Sequence, residues 1–318
     1  MWGAIFPGQG SQNVGMGKFL IENFTTAKRL FEEASDTLHF QIGKLCFEGP
    51  ESDLTLTENL QPALLLVSTA TFVTFQEETG FQPSLGAGHS LGEYSALTSA
   101  GTLKFADALL AVRARGKAMQ TACPQGEGAM AAVIGWEDED VTQLCAWVES
   151  TSKLSPLRTA NFNSPGQVVI SGRASAVTWL KENYSPEISG FGKKLKMIPL
   201  NVSAPFHCPL MKPAEDTMKV LLTATHFEIP RFPIVQNTTA MPSENPDSIR
   251  EELIKQVTGS VNWAQSIRKF KDLGVSHLIE FGPGKVLAGP AKKTDAEFFK
   301  TFNLQTMEDF KTAAAEVR

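Results

Sequence analysis

Hydrophobic and polar residues alternate along this chain with two different periods. Over residues 17–38 and 105–121, apolar side chains recur every three or four positions, which predicts amphipathic helices. Residues 62–78 predict a more deeply buried helix, with Pro62 near its first turn and Gly80 after its end. Short apolar runs at 4–6 and 275–281 predict buried strands. Strands that alternate with helices indicate a mostly parallel sheet covered on both faces.

The spacing becomes shorter after residues 124–128, where a proline and two glycines interrupt the pattern. The next elements are predicted in the order strand, helix, strand, strand, helix, strand, at residues 129–134, 137–149, 158–163, 167–171, 174–184 and 194–200. This order is the ferredoxin-like arrangement. It predicts a small inserted subdomain at residues 128–199, within a larger subdomain formed by residues 1–127 and 200–318.

The composition is typical of a soluble globular protein and argues against several classes of function. Of 318 residues, 42% are hydrophobic and 20% are charged, and the formal net charge of −5 provides no basic field for nucleic acid. The four cysteines form no Cys-x-x-Cys pair, which argues against a zinc or redox motif and predicts reduced thiols in the cytoplasm. The pattern shows neither a signal peptide nor an apolar run long enough to span a membrane.

The strongest chemical signal is Gly88-His89-Ser90-Leu91-Gly92, which fits the pattern Gly-x-Ser-x-Gly. The segment lies between a short apolar run and a helix-like run, which is the setting of a nucleophile elbow. In such a turn the serine hydroxyl is exposed, and the N–H of Leu91 lies at a helix N-terminus that can hold an oxyanion. An ordinary loop rich in glycine and serine is the alternative. With the elbow, the predicted fold class is α/β: a large α/β-hydrolase-like subdomain and a small ferredoxin-like one.

A serine nucleophile needs a base, and the chain has five histidines. His207 lies in an irregular loop bracketed by prolines, where a catalytic base can be positioned, although a surface histidine is an equal alternative. His89 adjoins Ser90, but adjacent side chains on a sharp turn diverge. The remaining histidines are expected to be surface or packing residues: His39, His226 and His277. No Asp or Glu stands out as the group that orients the base, and a backbone carbonyl could do so.

Two further features could serve the same site. The loop at residues 7–12 could present a backbone N–H and the Gln9 amide, and it lacks the spacing of a nucleotide-binding loop. Arg115 does not share the helix face of Arg113 and Lys117, and points among apolar residues instead. An arginine directed towards a core needs an anion.

These motifs, in this order, resemble the malonyl-coenzyme A:acyl-carrier-protein transacylases of bacterial fatty acid synthesis. The resemblance is carried by motifs at residues 6–12, 61–64, 88–97, 115–119, 128–133, 161–169, 206–208 and 282–287. The sequence departs from the family at Gly259 and Ser260, where Asn-Pro is usual, and at Asn262, where Gln or Arg is usual.

The resemblance implies the roles of the reacting groups. Ser90 would be the nucleophile that carries the acyl ester, and His207 would be its base. The backbone carbonyl of Gln256 would orient His207. The N–H groups of Gln9 and Leu91 would form the oxyanion hole.

It also implies how the acyl group is chosen. Arg115 would pair with the free carboxylate of a malonyl group, which agrees with the anion that an inward arginine requires. The bulk of Phe206 would disfavour a 2-methyl branch. The implied reaction is a ping-pong transfer from malonyl-CoA to the phosphopantetheine thiol of acyl carrier protein, without a metal or redox cofactor. We expect a monomer that binds neither nucleic acid nor membrane.

Both substrates are anionic and the chain is acidic, so the resemblance requires a local basic patch. Lys193, Lys194 and Lys196 are the candidates, and a solvated, lysine-rich strand edge is the alternative.

Four other functions compete with this one. A serine esterase or thioesterase would use the elbow but not Arg115. A patatin-like lipase would need an Asp-Gly motif, which the sequence lacks. A non-catalytic carrier-binding subunit would not need Ser90 and His207. A polyketide acyltransferase acting in trans would use identical chemistry.

Overall fold

The computed structural model describes residues 1–317 as a mixed α/β structure with two sheets, and Arg318, the last residue of the expected larger subdomain, lies outside the described residues. The strands are Trp2–Phe6 (β1), Leu85–Gly88 (β2), Gly128–Ile134 (β3), Leu157–Ser164 (β4), Gln167–Arg173 (β5), Lys196–Pro199 (β6), Ile234–Val235 (β7), Pro242–Ser243 (β8), His277–Glu280 (β9) and Lys300–Asn303 (β10). The first helices are Lys18–Asn23 (α1), Thr25–Leu38 (α2), Ile42–Glu48 (α3), Glu51–Leu54 (α4), Thr57–Thr79 (α5), Leu91–Ser99 (α6) and Phe105–Thr121 (α7). They are followed by Asp138–Ser152 (α8), Ala174–Asn183 (α9), Pro186–Ser189 (α10), Lys212–Ala224 (α11), Pro246–Lys255 (α12), Trp263–Asp272 (α13), Ala288–Thr294 (α14) and Met307–Val317 (α15).

The larger sheet has six strands in the order β10-β9-β1-β2-β7-β8. All neighbouring pairs are parallel except β7 and β8. Strand β1 lies near the middle, and its residues 4–6 are fully buried because helices cover both faces. Since β1, β2 and β9 are parallel, the loops that follow them meet at one edge of the sheet. Those loops carry Gln9, Ser90 and Gly282, so this edge is where a site can form.

The smaller sheet has four antiparallel strands in the order β4-β5-β3-β6. Its chain order of strands and helices, and its strand order, are those of the ferredoxin-like arrangement. Helices α8 and α9 pack on it with a hydrophobic cluster of its own, which includes Trp136, Leu144 and Ile170. The predicted α/β fold class is confirmed by this architecture. That residues 128–199 form a separate subdomain stays a prediction.

Some predicted bounds were wrong. The helix expected over residues 17–38 is broken at Phe24, whose backbone is extended and whose ring lies 4.9 Å from that of Phe310. Helix α5 begins five residues earlier than Pro62, because Leu60 and Gln61 are buried and tertiary packing extends the helix past the proline. Its C-terminal end, predicted at residue 78, lies at Thr79, and Gly80 follows in the left-handed conformation with φ 72° as the predicted residue after the helix. Among the helices of residues 1–317, none combines the length and the apolar character that crossing a bilayer requires.

Candidate active site

Ser90 lies on a strained turn between β2 and α6. Its backbone has φ 51° and ψ −105°, outside the regions that most residues adopt. The turn is possible because glycine stands on both sides. A Cβ atom on Gly88 would lie 1.8 Å from the carbonyl oxygen of Gly92, and one on Gly92 would lie 2.1 Å from that of Phe6. The geometry is that of the predicted nucleophile elbow, with the serine side chain directed out of the turn.

Asn237, just after β7, stabilises this turn. Its side-chain oxygen accepts a hydrogen bond from the Ser90 N–H at 2.7 Å, and its amide nitrogen donates to the Gly88 carbonyl at 2.7 Å. Asn237 is 1% exposed, so both hydrogen bonds are shielded from water. A buried amide that satisfies two backbone groups offsets part of the cost of the strained conformation.

His207 faces Ser90 from the loop before α11. Its Nε2 lies 2.8 Å from the Ser90 hydroxyl oxygen, and its Nδ1 lies 2.8 Å from the carbonyl oxygen of Gln256 and 3.1 Å from that of Gly259. Because carbonyl oxygens only accept, Nδ1 carries the proton and Nε2 is left to accept from the hydroxyl. Burial, together with the charge of Arg115, lowers the pKa of His207 to about 3. The ring is therefore neutral at physiological pH.

A helix end takes the place of the carboxylate that often orients a catalytic histidine. Gln256 follows the last residue of α12, where backbone carbonyls lack intrahelical donors and the helix dipole is negative. Gly259 supplies a second carbonyl although it departs from the Asn usual in the resembled family. A backbone carbonyl at this position needs no particular side chain.

Arg115 reaches the same site from α7 and is fully buried. Its Nη1 donates to the side-chain oxygen of Gln61 at 2.9 Å. Its Nη2 donates to the side-chain oxygen of Gln256 at 2.8 Å and to the Ser90 hydroxyl oxygen at 3.1 Å. All these acceptors are uncharged, and Nε has no partner among residues 1–317. The ring of Tyr94 lies 5.6 Å from the guanidinium carbon. The arrangement leaves a buried cation without a directly bound carboxylate beside the Ser90 hydroxyl.

The two expected oxyanion donors lie at this edge of the larger sheet. Leu91 is the first residue of α6, and within residues 1–317 its N–H and that of Gln9 donate to no other group. Gln9 lines a cleft of about 260 Å³ together with His89, Asn163 and Trp263. Both N–H groups remain able to bind an oxyanion.

Several residues of this site were missed by the sequence analysis. Gln61 binds Arg115, Glu93 binds Gln256, and Asn237 binds Ser90. Each of the three lies in a run of sequence that predicts only packing or a turn. Their role depends on long-range contacts that no local pattern reveals.

The other candidate residues lie outside the hydrogen-bonded group. His89 points away from Ser90, and its Nε2 lies 2.9 Å from the side-chain oxygen of Asn163. Phe206 is 7% exposed beside His207. Lys193 forms an ion pair with Asp140. Residues 1–317 contain no group of His, Cys, Asp or Glu that could hold a metal ion.

Comparison with known proteins shows the family. The model of the acyl transferase domain family matches residues 4–313. The malonyl CoA-acyl carrier protein transacylase of Bacillus subtilis (strain 168) is 46% identical over 291 residues, which are 92% of this chain and 89% of that protein. The enzyme of the same name from Escherichia coli (strain K12) is 43% identical over 289 residues, which are 91% of each chain.

Solved structures agree with this result. FabD from Acinetobacter baumannii matches with a TM-score of 0.92 at 39% identity, covering 99% of this chain and 98% of that one. A malonyl-transacylase in complex with its holo type II PKS acyl-carrier protein matches with a TM-score of 0.92 at 39% identity, covering 99% of each chain. The family match, these relatives and the shared fold together confirm the resemblance, and the chain belongs to the malonyl CoA-acyl carrier protein transacylases of the acyl transferase family.

Proposed function

We propose that this enzyme transfers the malonyl group of malonyl-CoA to the phosphopantetheine thiol of acyl carrier protein, through a malonyl ester of Ser90, in fatty acid biosynthesis. The observation that carries the proposal is the buried guanidinium of Arg115, which lies 3.1 Å from the Ser90 hydroxyl oxygen and donates only to uncharged acceptors among residues 1–317. In malonyl-CoA, one methylene separates the free carboxylate from the reacting carbonyl. A carboxylate bound to Arg115 therefore brings that carbonyl to Ser90.

In the first half-reaction, the Ser90 hydroxyl oxygen attacks the thioester carbonyl carbon. His207 Nε2 takes the hydroxyl proton, and the Gln256 carbonyl stabilises the imidazolium that forms. The N–H groups of Gln9 and Leu91 bind the oxyanion. The carbon–sulfur bond then breaks, and His207 gives its proton to the leaving thiolate of coenzyme A.

In the second half-reaction, the thiol of the carrier protein attacks the malonyl ester and His207 takes its proton. The carbon–oxygen bond to Ser90 breaks, and His207 returns the proton to the serine. The same residues thus serve both halves, as a ping-pong reaction requires.

Arg115 would also make the enzyme selective. An acetyl group leaves the buried guanidinium unpaired, whereas a malonyl carboxylate can accept two parallel hydrogen bonds from it. The difference is on the order of several kcal/mol. The bulk of Phe206 next to His207 would act against a 2-methyl branch.

The carrier protein would bind where the small sheet exposes lysines. Lys194 and Lys196 are exposed at its edge, whereas Lys193 is already paired with Asp140. Exchange of both free lysines for glutamate should slow transfer to the carrier protein and reduce its salt dependence, with acylation of Ser90 by malonyl-CoA unchanged. An unchanged salt dependence would reject this surface.

A cytoplasmic monomer that binds neither nucleic acid nor membrane completes the proposal. The four cysteines are free and buried, which agrees with reduced thiols.

The direct test is intact-mass measurement after separate mixing with malonyl-, acetyl- and methylmalonyl-CoA. We expect a stable malonyl adduct on the wild type and none on Ser90→Ala. Ser99→Ala, at the buried serine that ends α6, is the matched control and should still be labelled. Labelling of the Ser90→Ala variant would remove the elbow from the mechanism.

Transfer to a polyketide carrier protein is the second candidate function, because one matching structure is a malonyl-transacylase bound to a type II PKS carrier. The Ser90 ester would be the same in both cases. Transfer rates to a fatty acid carrier and to a polyketide carrier, measured from the same malonylated enzyme, decide between them.

A further inference from the structure

Glu93 is a buried carboxylate in the first turn of α6, and the mechanism above gives it no task. It is 1% exposed. Its Oε2 accepts from Gln256 Nε2 at 2.7 Å and from the Asn237 N–H at 3.3 Å. Its Oε1 has no hydrogen-bond partner among residues 1–317. A carboxylate without an ion-pair partner is costly to bury, so its contacts with two residues of the site suggest a task there.

The contact with Gln256 determines which way that amide faces. Gln256 Oε1 accepts from Arg115 Nη2, while Nε2 donates to Glu93 and, at 2.9 Å, to the Ser90 carbonyl. If the amide were reversed, its NH₂ group would face the guanidinium, donor against donor, and its oxygen would face the carboxylate. Glu93 and the Ser90 carbonyl, both acceptors, exclude that orientation.

We propose that Glu93 is a positioning residue: it fixes the Gln256 amide so that the amide oxygen holds the Arg115 guanidinium over the Ser90 hydroxyl. Glu93 does not touch the reacting atoms. It acts on them through one intervening side chain, and on the elbow through Asn237. The expected effect on malonyl selectivity rests on the proposed function, since it assumes that Arg115 binds the malonyl carboxylate.

The hydrogen bond from Gln256 Nε2 to Glu93 can form whether the carboxyl group is ionised or protonated. Burial raises the pKa of Glu93 to about 7, although donors from Gln256 and Asn237 and the charge of Arg115 lower it. Glu93 is also electrostatically coupled to Tyr94 and Glu252. A proton on Glu93 would occupy the unpartnered Oε1 and leave Oε2 free to accept from Gln256. The proposal therefore requires an acceptor atom at this place rather than a charge.

This requirement sets the choice of variants. Glu93→Asp keeps the charge but shortens the side chain, so that its oxygens no longer reach Gln256 Nε2. Glu93→Gln keeps the length and one acceptor oxygen. Glu280→Asp shortens another fully buried carboxylate, which binds only backbone groups, and controls for a general loss of stability.

The measurement is the rate of Ser90 acylation by malonyl-CoA and by acetyl-CoA, per acylatable site. In Glu93→Asp we expect the ratio of the malonyl to the acetyl acylation rate to fall roughly tenfold. This factor is the contribution expected from one hydrogen bond to a charged group, here that between Gln256 and the Arg115 guanidinium. In Glu93→Gln the ratio should stay within about threefold of the wild type, the scatter expected for such contacts. Glu280→Asp should leave the ratio unchanged. A purely structural role would lower both rates together, and an unchanged ratio in a folded Glu93→Asp would overturn the proposal.

A crystal structure of Glu93→Asp provides a readout that needs no substrate. The distance from Arg115 Nη2 to Gln256 Oε1, 2.8 Å in the wild type, should exceed hydrogen-bonding length. An unmoved pair would reject the positioning role even if the wild type accepted no malonyl group. Absence of a malonyl adduct on the wild type would instead reject the proposed function.

Discussion

Arg115 Nη2 lies 3.1 Å from the Ser90 hydroxyl oxygen, although Arg115 belongs to helix α7 and Ser90 to the turn before α6. The guanidinium is held by two glutamine side chains, Gln61 and Gln256, rather than by a carboxylate. Amide oxygens orient the cation without neutralising it. The site thus keeps a full positive charge available for an incoming anion.

The first prediction concerns this charge. Arg115→Ala should lower kcat/KM for malonyl-CoA by roughly thirtyfold to several thousandfold, because the carboxylate would be buried without a partner. This factor corresponds to a loss of about 2–5 kcal/mol in transition-state stabilisation. Acylation by acetyl-CoA should fall far less, since an acetyl group has no carboxylate. Steady-state and single-turnover rates with both thioesters provide the measurement.

Arg113→Ala is the matched control, since this arginine lies on the same helix, donates to the Leu38 carbonyl and lies over the ring of Phe40. It should change stability without changing the ratio of malonyl to acetyl rates. Equal losses for both thioesters in Arg115→Ala would show that the guanidinium supports the fold rather than the carboxylate.

The second prediction concerns the pH dependence of acylation. Burial, helped by the charge of Arg115, lowers the pKa of His207 to about 3, so the ring stays neutral and Nε2 stays unprotonated at pH values well below the ordinary pKa of histidine. The acylation rate should therefore show no histidine titration between pH 8 and 5. The profile should be repeated in Glu93→Gln, because the pKa of Glu93 is about 7 and this variant removes that titration. An inflection near pH 6.5 in both proteins would contradict the neutral, buried histidine.

The sequence predicts the candidate reacting residues of the site better than it predicts the contacts that hold them in place. Ser90 and Arg115 are recognisable because each breaks a local rule: a serine between glycines at a strand end, and an arginine on an apolar face. For His207, the sequence alone favoured a catalytic base and a surface histidine equally, and only the family resemblance favoured the base. His207 Nε2 lies 2.8 Å from the Ser90 hydroxyl oxygen, although the two residues are 117 positions apart in the chain. No local sequence pattern predicts this distance.

The fold shows the same limit. Periodicity predicted the alternation of strands and helices and the bounds of α7, because burial repeats with the helix period. It placed the start of α5 at Pro62, since proline favours a first turn, whereas the burial of Leu60 and Gln61 extends the helix upstream. Gln61 is one of the two glutamines that bind Arg115, so this local error concealed part of the site.

The third prediction concerns the close approach at the elbow. Alanine at a helical glycine normally stabilises a protein by up to about 1 kcal/mol. Gly92→Ala should do the opposite, because its Cβ would lie 2.1 Å from the Phe6 carbonyl oxygen and the backbone would have to move. We expect a loss of at least about 1–3 kcal/mol in the free energy of unfolding, together with slower labelling of Ser90.

Gly289→Ala is the matched control, since nothing lies within 4 Å of its added Cβ in helix α14. It should be neutral or slightly stabilising. Urea denaturation of both variants gives the comparison, and a Gly92→Ala variant as stable as the wild type would disprove the tight contact between the elbow and β1.

The fourth prediction concerns Glu280, at the end of β9. Its carboxylate is fully buried and accepts from the N–H groups of Val286 and Leu287, which precede helix α14, and of Ala288, its first residue. Burial raises its pKa to about 7 from 4.5, against these three donors, which lower it. The folded protein therefore binds more protons than the unfolded chain between about pH 4.5 and 7, and stability falls as pH rises through that window.

Glu280→Gln removes this titration, so its stability relative to the wild type should improve from pH 5 to pH 8, by up to about 3 kcal/mol for a carboxyl this deeply buried. At pH 5 the variant should be no more stable than the wild type, because the amide has one acceptor oxygen where the carboxyl group has two. Glu51→Gln, at an exposed glutamate, should follow the wild type at every pH. Melting temperatures of the three proteins across this range test the prediction. A constant difference between Glu280→Gln and the wild type would mean that Glu280 is ionised in the folded protein throughout the range, with its three N–H donors outweighing the cost of burial.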